Sequence, residues 1–206
     1  MNLPAPPFLY PILDSAFSDD LIRDGRTLVR AGVRILQVRA KNLTKLKVFE
    51  VVEEVIPACE EAGALLIIND YVDVALVTSV SGVHLGQEDF PVSEAAKILH
   101  NKVIGLSTHN LQQFSAALSL PVSYIAIGPI KDTRTKLGSG PAIGVEFLRS
   151  VRPLTKTPIV CIGGIQADLI PDLIVAGADG IAVVSALFSP GSLYDCVSRL
   201  QEKIER

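Results

Sequence analysis

The chain has 206 residues, 49% of them hydrophobic, and carries 19 basic against 22 acidic side chains for a net charge of −3. That suffices for a substantial core, while the near-balanced charge, the lack of a basic block and the absence of tryptophan exclude an obvious nucleic-acid surface. No apolar stretch reaches the roughly 20 residues that cross a bilayer, the amino terminus has neither a basic region nor an apolar signal core, and Cys59, Cys161 and Cys196 follow no metal or disulfide spacing. The expectation is a cytoplasmic protein without a membrane partner; whether it forms a homo-oligomer is left open.

In chain order, apolar runs of strand length alternate with helix-like segments. The runs are Phe8 to Leu13, Arg34 to Val38, Leu65 to Ile68, Gly82 to Leu85, Val103 to Leu106, Tyr124 to Ile127, Ile159 to Ile162 and Gly180 to Val184. The segments between them are Asp19 to Ala31 after a Ser18 N-cap, Lys45 to Ala62 after Thr44, Val72 to Val77, Val92 to Leu99, Leu111 to Leu118, Val145 to Val151, Leu169 to Ala176 and Leu193 to Ile204. In the longest segment Val48, Phe49, Val52, Val55, Ile56 and Cys59 give one apolar face, and Pro57 should kink it. Gly32, Gly63 and Gly177 stand where left-handed helix ends would return the chain to a sheet. Strict βα alternation with eight units in this length favours one compact (β/α)₈ TIM barrel, a single domain over 1–206, and no GxGxxG follows the first strand to support a dinucleotide fold.

In such barrels the site lies at the carboxyl ends of the strands. That rule collects Gln37, Arg39 and Lys41 after the second run, Asn69 and Asp70 after the third, Asp89 beyond the fourth, and Ser107, Thr108 and His109 after the fifth. Lys131 to Gly144 follows the sixth run, with cations and glycines suited to a closing lid; Gly163-Gly164 and Ser185 end the seventh and eighth. Asp70 and Asp89 at equivalent strand ends would repel unless a proton or cation sits between them, and hard oxygen ligands suit Mg2+; on their own they read equally well as helix caps. Gln37, Arg39 and Lys41 alternate to one face and, with a divalent cation, suit a diphosphate, although a solvated salt-bridge network has the same composition. Gly163-Gly164 is either a monophosphate cradle or only a tight turn. His84 could face the barrel or a helix; it and His109 read as supporting residues, Cys161 as packed in its strand, and Lys102, Lys156 and Lys203 as solvated.

Taken together, Gln37-Val38-Arg39-Ala40-Lys41, Ile68-Asn69-Asp70, Gly82 to Asp89 (GVHLGQED), Gly105 to His109 (GLSTH), Gly128-Pro129-Ile130 with Thr133-Arg134-Thr135-Lys136, Ile162 to Ile165 (IGGI) and Val183 to Ala186 (VVSA) closely resemble the thiamine phosphate synthase family, in order and across almost the whole chain. Two positions depart from its pattern: Ala40 stands for the usual glutamate and Tyr71 for the usual arginine or histidine. The resemblance implies small-molecule substrates, a hydroxymethylpyrimidine diphosphate and a thiazole phosphate, joined with loss of pyrophosphate by a dissociative route. It implies Mg2+ on Asp70 and Asp89. The stretch from Gln37 through Val38, Arg39 and Ala40 to Lys41, with Asn69, Ser107 and Lys136, would serve the pyrimidine substrate, and Arg39, Lys41, Ser107 and Lys136 the chemistry. Thr133, Arg134, Thr135, Gly163 or Gly164, Val184 and Ser185 would complete the substrate site, chiefly toward the thiazole phosphate. Two other readings stand beside it: a thiazole tautomerase on the related barrel, which would not need the carboxylate pair or the diphosphate cluster, and a non-catalytic barrel that binds thiamine phosphate.

Overall fold

The computed structural model describes residues 2–132 and 141–205. Eight strands, β1 (Phe8–Asp14), β2 (Ile35–Arg39), β3 (Leu65–Asn69), β4 (Gly82–Leu85), β5 (Val103–Thr108), β6 (Tyr124–Ile127), β7 (Ile159–Ile162) and β8 (Gly180–Val183), close into a barrel in chain order. Each pairing is parallel, and β8 returns to β1 with Phe8 opposite Gly180. The helices α1 (Leu21–Arg30), α2 (Lys45–Ala62), α3 (Val72–Val77), α4 (Val92–Ile98), α5 (Leu111–Ala117), α6 (Gly144–Val151), α7 (Ile170–Val175) and α8 (Leu193–Ile204) each follow one strand, as the alternation predicts. None of the described helices is long and apolar enough to cross a membrane.

Local chemistry sets the helix ends. Thr44 caps α2 as predicted by accepting from the Lys47 N–H at 3.3 Å, and Gly63 closes it with a φ of 63°. Gly32 and Gly177 take the same left-handed backbone at the ends of α1 and α7. The expected Ser18 cap is incorrect. Asp20 caps α1, its carboxylate accepting from the Arg23 N–H at 2.9 Å, whereas the Ser18 hydroxyl donates to Asp24 at 2.7 Å. With its hydroxyl engaged by Asp24, Ser18 is not free to cap, and the helix starts two residues later than expected. α2 runs as one helix through Pro57, and its buried face gains Val51 while Phe49 lies only partly buried at its edge. Lys102 is not simply solvated either: its ammonium donates to the Thr78 and Val80 carbonyls at 3.1 and 2.6 Å and closes the loop before β4.

The strand period of two divides the core into two layers. Leu36, Val38, Leu66, Ile68, Val83, Leu85, Ile104, Leu106, Ile125, Cys161 and Ile181 point outward and pack under the helices. Phe8, Tyr10, Ile12, Ile35, Ile67, Val103, Tyr124, Ala126, Val160 and Ala182 fill the barrel itself. Cys161 is fully buried in the outer layer, where burial pushes its thiol far above the usual range, so it is packing and not a nucleophile.

The interior accommodates two tyrosines only because some of its neighbours are small. Gly105 lies between His84 and Tyr124 in the strand register, and the Tyr124 ring crosses above it to stack on His84, with centroids 5.6 Å apart. A Cβ at Gly105 would come within 2.0 Å of the Tyr124 Cζ. Gly105→Ala should therefore displace a fully buried ring and lower stability by roughly 1–3 kcal/mol, as overpacking does. Denaturant unfolding measures this; an unchanged midpoint would show that the ring is free to move aside.

Candidate active site

One pocket opens at the carboxyl ends of the strands, where the barrel rule places it, and its wall carries most of the residues selected from the sequence. Gln37, Arg39 and Lys41 all line it, as their alternation predicts. Val38 and Ala40 do not. Both are buried in the layer under the helices, because each falls on the opposite side of the chain from the polar three, so their side chains cannot contact a ligand in the pocket. Asn69, Asp70, Asp89, Ser107, Gly163, Gly164, Val184 and Ser185 line the wall as expected, and His109 joins them with its Nδ1 2.7 Å from the Gly128 carbonyl oxygen. Thr133, Arg134, Thr135 and Lys136 lie outside the described residues, as does most of the predicted lid.

The carboxylate pair is real. Asp70 directly follows β3 and Asp89 lies in the loop beyond β4; both line the pocket, and the Asp89 carboxyl is close enough to raise that of Asp70. Asp70 holds a left-handed backbone, φ 67°, which a residue with a Cβ adopts at a cost, while its N–H donates to the His84 carbonyl at 2.9 Å. Asp89 is turned back by the Gly86 N–H, which donates to its Oδ2 at 2.6 Å. Burial foremost, and then the Asp89 carboxyl beside it, push the Asp70 carboxyl above its ordinary range; Lys41, with its Nζ 3.0 Å from Asp70 Oδ2, pulls the other way.

The second cation is not part of this pair. Arg39 forms an ion pair with Asp14, the last residue of β1 and its direct neighbour in the strand register. Asp14 is almost fully buried and also accepts from the Ala16 N–H at 2.9 Å, so it anchors Arg39 at the rim. The sequence reading ended the first strand at Leu13 and missed Asp14. The rule that selected Asp70, a polar residue directly following an apolar run, would have found it.

On the far side of the pocket Gly163 and Gly164 take positive φ values of 95° and 65°. A Cβ on Gly163 would come within 2.6 Å of Pro129 Cβ, and one on Gly164 within 2.8 Å of the Asp132 carbonyl oxygen. The backbone is thereby drawn against the loop after β6: the Ile130 N–H donates to the Ile162 carbonyl at 2.9 Å and the Lys131 N–H to Gly163 at 3.0 Å. The turn reading of these glycines is thus met, and the same geometry exposes them to the pocket. Ser185 opens a short 3₁₀ helix, Ser185–Phe188, next to them on the wall.

Two carboxylates are a partial metal site. Among the described residues no third acidic, histidine or cysteine side chain completes a cluster. That composition fits magnesium, which keeps waters and takes substrate phosphate oxygens beside one or two carboxylates, and a cation there would favour the ionised Asp70 that burial and the Asp89 carboxyl disfavour.

A closed (β/α)₈ barrel with ionisable residues from several strands meeting at one carboxyl-terminal rim places the chain in the class of TIM-barrel enzymes. A family profile for thiamine monophosphate synthase matches residues 9–187, and the chain belongs to that family. It is 39% identical over 197 residues to a thiamine-phosphate synthase of Chloroflexus aurantiacus, covering 94% of this chain and 90% of the relative. A thiamine-phosphate synthase of Methanospirillum hungatei is 36% identical over 183 residues, covering 87% and 88%. A solved thiamine phosphate pyrophosphorylase from Pyrococcus furiosus superposes with a TM-score of 0.88 at 30% identity, covering 96% of this chain and 95% of its own.

The raised carboxyl of Asp70, held up by burial foremost and by Asp89, has a consequence for stability. A carboxyl whose proton is held more tightly in the fold than in the unfolded chain contributes stability at low pH, and that contribution is lost as pH rises through the folded value. At neutral pH without a cation, ionised Asp70 therefore opposes folding. Asp70→Asn, which also suits the left-handed backbone, should raise the thermal midpoint in chelator at neutral pH, with the gain shrinking as pH falls into the carboxylate range. The lost bridge to half-exposed Lys41 should offset little of this. Scanning calorimetry of both proteins across pH checks it, and a lower midpoint for the variant at neutral pH would refute the raised Asp70 carboxyl.

Proposed function

We propose that the chain is a working thiamine-phosphate synthase, which joins 4-amino-2-methyl-5-hydroxymethylpyrimidine diphosphate to 4-methyl-5-(2-phosphoethyl)thiazole and releases pyrophosphate. The carbon–oxygen bond to the diphosphate breaks, and a bond forms from that carbon to the thiazole nitrogen. The reading rests on one observation above others: a single pocket carries a carboxylate pair with two cations on one side and a glycine turn with a serine on the other. That is the donor set two phosphorylated substrates would need to meet face to face. Family membership across most of the chain supports the same reaction.

Asp70 and Asp89 would hold Mg2+, which when bound supplies charge neutralisation for the departing diphosphate. Lys41 is paired with Asp70 in the free protein, so a cation on the carboxylates would release its ammonium toward the same phosphate oxygens. Arg39 is held at one nitrogen by Asp14, which leaves the rest of its guanidinium fork for the diphosphate. As the diphosphate leaves, negative charge grows on it and positive charge on the pyrimidine carbon. Fixed cations at that end therefore stabilise the transition state more than the bound substrate, and no protein nucleophile is required. The Gly163-Gly164 turn and Ser185 would hold the thiazole phosphate, with Val184 as the apolar wall beside it. We read the enzyme as cytoplasmic, with these two small molecules as its partners.

Pyrophosphate release measured with each substrate alone, with both, and with both plus chelator tests the reaction. Release should require both substrates and a divalent cation; none with all three present would refute the activity. Lys41→Ala should lower kcat/KM for the pyrimidine diphosphate about ten- to a hundredfold, the worth of a charge-assisted bond, while Ser185→Ala should raise KM for the thiazole phosphate roughly fivefold. The opposite pattern would mean that the two substrates occupy exchanged positions.

A further inference from the structure

Beneath the rim lies a continuous hydrogen-bonded chain that the proposed chemistry does not use. The Gln37 Nε2 donates to the Tyr10 hydroxyl at 3.0 Å; the hydroxyls of Tyr10 and Tyr124 are 2.9 Å apart; Tyr124 is 2.9 Å from His84 Nδ1; and His84 Nε2 is 2.8 Å from the Ser107 hydroxyl. All five residues line the pocket wall, and the Tyr124 ring crosses the barrel over Gly105. The links differ in what they can donate and accept, so their order of protons can be worked out by counting.

An amide nitrogen only donates, so Tyr10 accepts from Gln37, and its own proton has one remaining partner, the Tyr124 oxygen. Tyr124, already accepting, gives its proton to His84 Nδ1. With the Tyr124 proton on that contact, Nδ1 is the accepting ring nitrogen, and the proton on Nε2 is directed at the Ser107 oxygen. The Ser107 proton is then free for the pocket. At the other end Gln37 Oε1 makes no hydrogen bond among the described residues, where no buried side-chain nitrogen or oxygen lacks a partner, so this oxygen also opens onto the pocket. Running the chain backward requires the Gln37 amide turned over, with Oε1 toward Tyr10; the amide as placed, Nε2 toward Tyr10, would leave the Tyr10 proton without an acceptor in that direction.

We infer that Tyr10, Tyr124 and His84 are positioning residues that form a one-way relay, fixing Ser107 as a donor and Gln37 as an acceptor toward the bound pyrimidine diphosphate. The inference rests on the substrate assignment above and deepens it. Diphosphate oxygens only accept, so a serine that had spent its proton on the histidine would present a lone pair to an anion. An amino group on the heteroaromatic ring donates, so it needs the amide oxygen and not the amide nitrogen. The relay meets both demands at once. Burial pushes both phenols well above their usual range, so their protons stay in place at working pH.

Two measurements test the relay, and the first is independent of activity. In ¹⁵N-histidine-labelled free protein, with His100→Gln and His109→Gln identifying the remaining signal, His84 should show the Nε2–H tautomer. The Nδ1–H form or an imidazolium would overturn the direction. The second is a cycle with Tyr124→Phe and Ser107→Ala. Tyr124→Phe alone should lower kcat about tenfold with little change in KM for the thiazole phosphate, and in the Ser107→Ala background it should cost less than about twofold further. Defects that multiply would mean that Tyr124 acts through packing and not through Ser107. Should the parent protein form no product, the substrate assignment fails, and the tautomer still decides whether the relay runs as inferred.

Discussion

Closing eight parallel strands into one small barrel sends every second side chain into a shared interior, and the rest of the molecule follows from that geometry. The lower interior is apolar, with Phe8, Ile35, Ile67 and Val103. Higher up, largely buried polar side chains enter the same interior beneath the pocket and bond to one another there. Gln37, Tyr10, Tyr124, His84 and Ser107 do so in a single file. Gly105 makes this possible by having no side chain where the Tyr124 ring must pass.

At the rim the same closure brings like charges together. Asp70 and Asp89 oppose each other, and Asp70 does so on a left-handed backbone. Both features work against folding in the free protein. They persist because the surrounding strand ends overdetermine them: the Asp70 N–H is tied to His84, and Asp89 is tied to the Gly86 N–H. Two cations compensate unequally. Lys41 is half-exposed and bonds to one of the pair, so its bridge is weak and exchangeable, whereas Arg39 is sequestered by buried Asp14 and stays where the strand puts it.

The glycine turn after β7 has two duties. Its positive φ values and missing side chains let the backbone lie against Pro129 to Asp132, which fixes the start of the loop after β6, and they also leave its peptide groups open to the pocket. A substitution there would disturb loop anchoring whether or not the turn holds a phosphate, so loss of function at either glycine would not by itself identify a phosphate contact.

Strand and helix positions, the barrel, the Thr44 cap, the helix-ending glycines and the rim residues from Gln37 to Ser185 are legible in the sequence, because each depends on a period or on a neighbour a few residues away. The same period already implies that Val38 and Ala40 face away from Gln37 and Arg39; a motif read as a continuous stretch hides this. Ser18 against Asp20 is a competition between two suitable caps, decided when Asp24 engages the serine. The remaining features required the tertiary structure. The pairing of Asp14 with Arg39, the meeting of Asp70 and Asp89, and the path from Gln37 to Ser107 join residues from different strands. The amino-acid order specifies that these groups are polar and near strand ends. Which of them touch, and so which carboxyl is strained and which proton points outward, is decided by strand register and barrel closure, because hydrogen bonds and charge repulsion act over distances that only the folded chain sets.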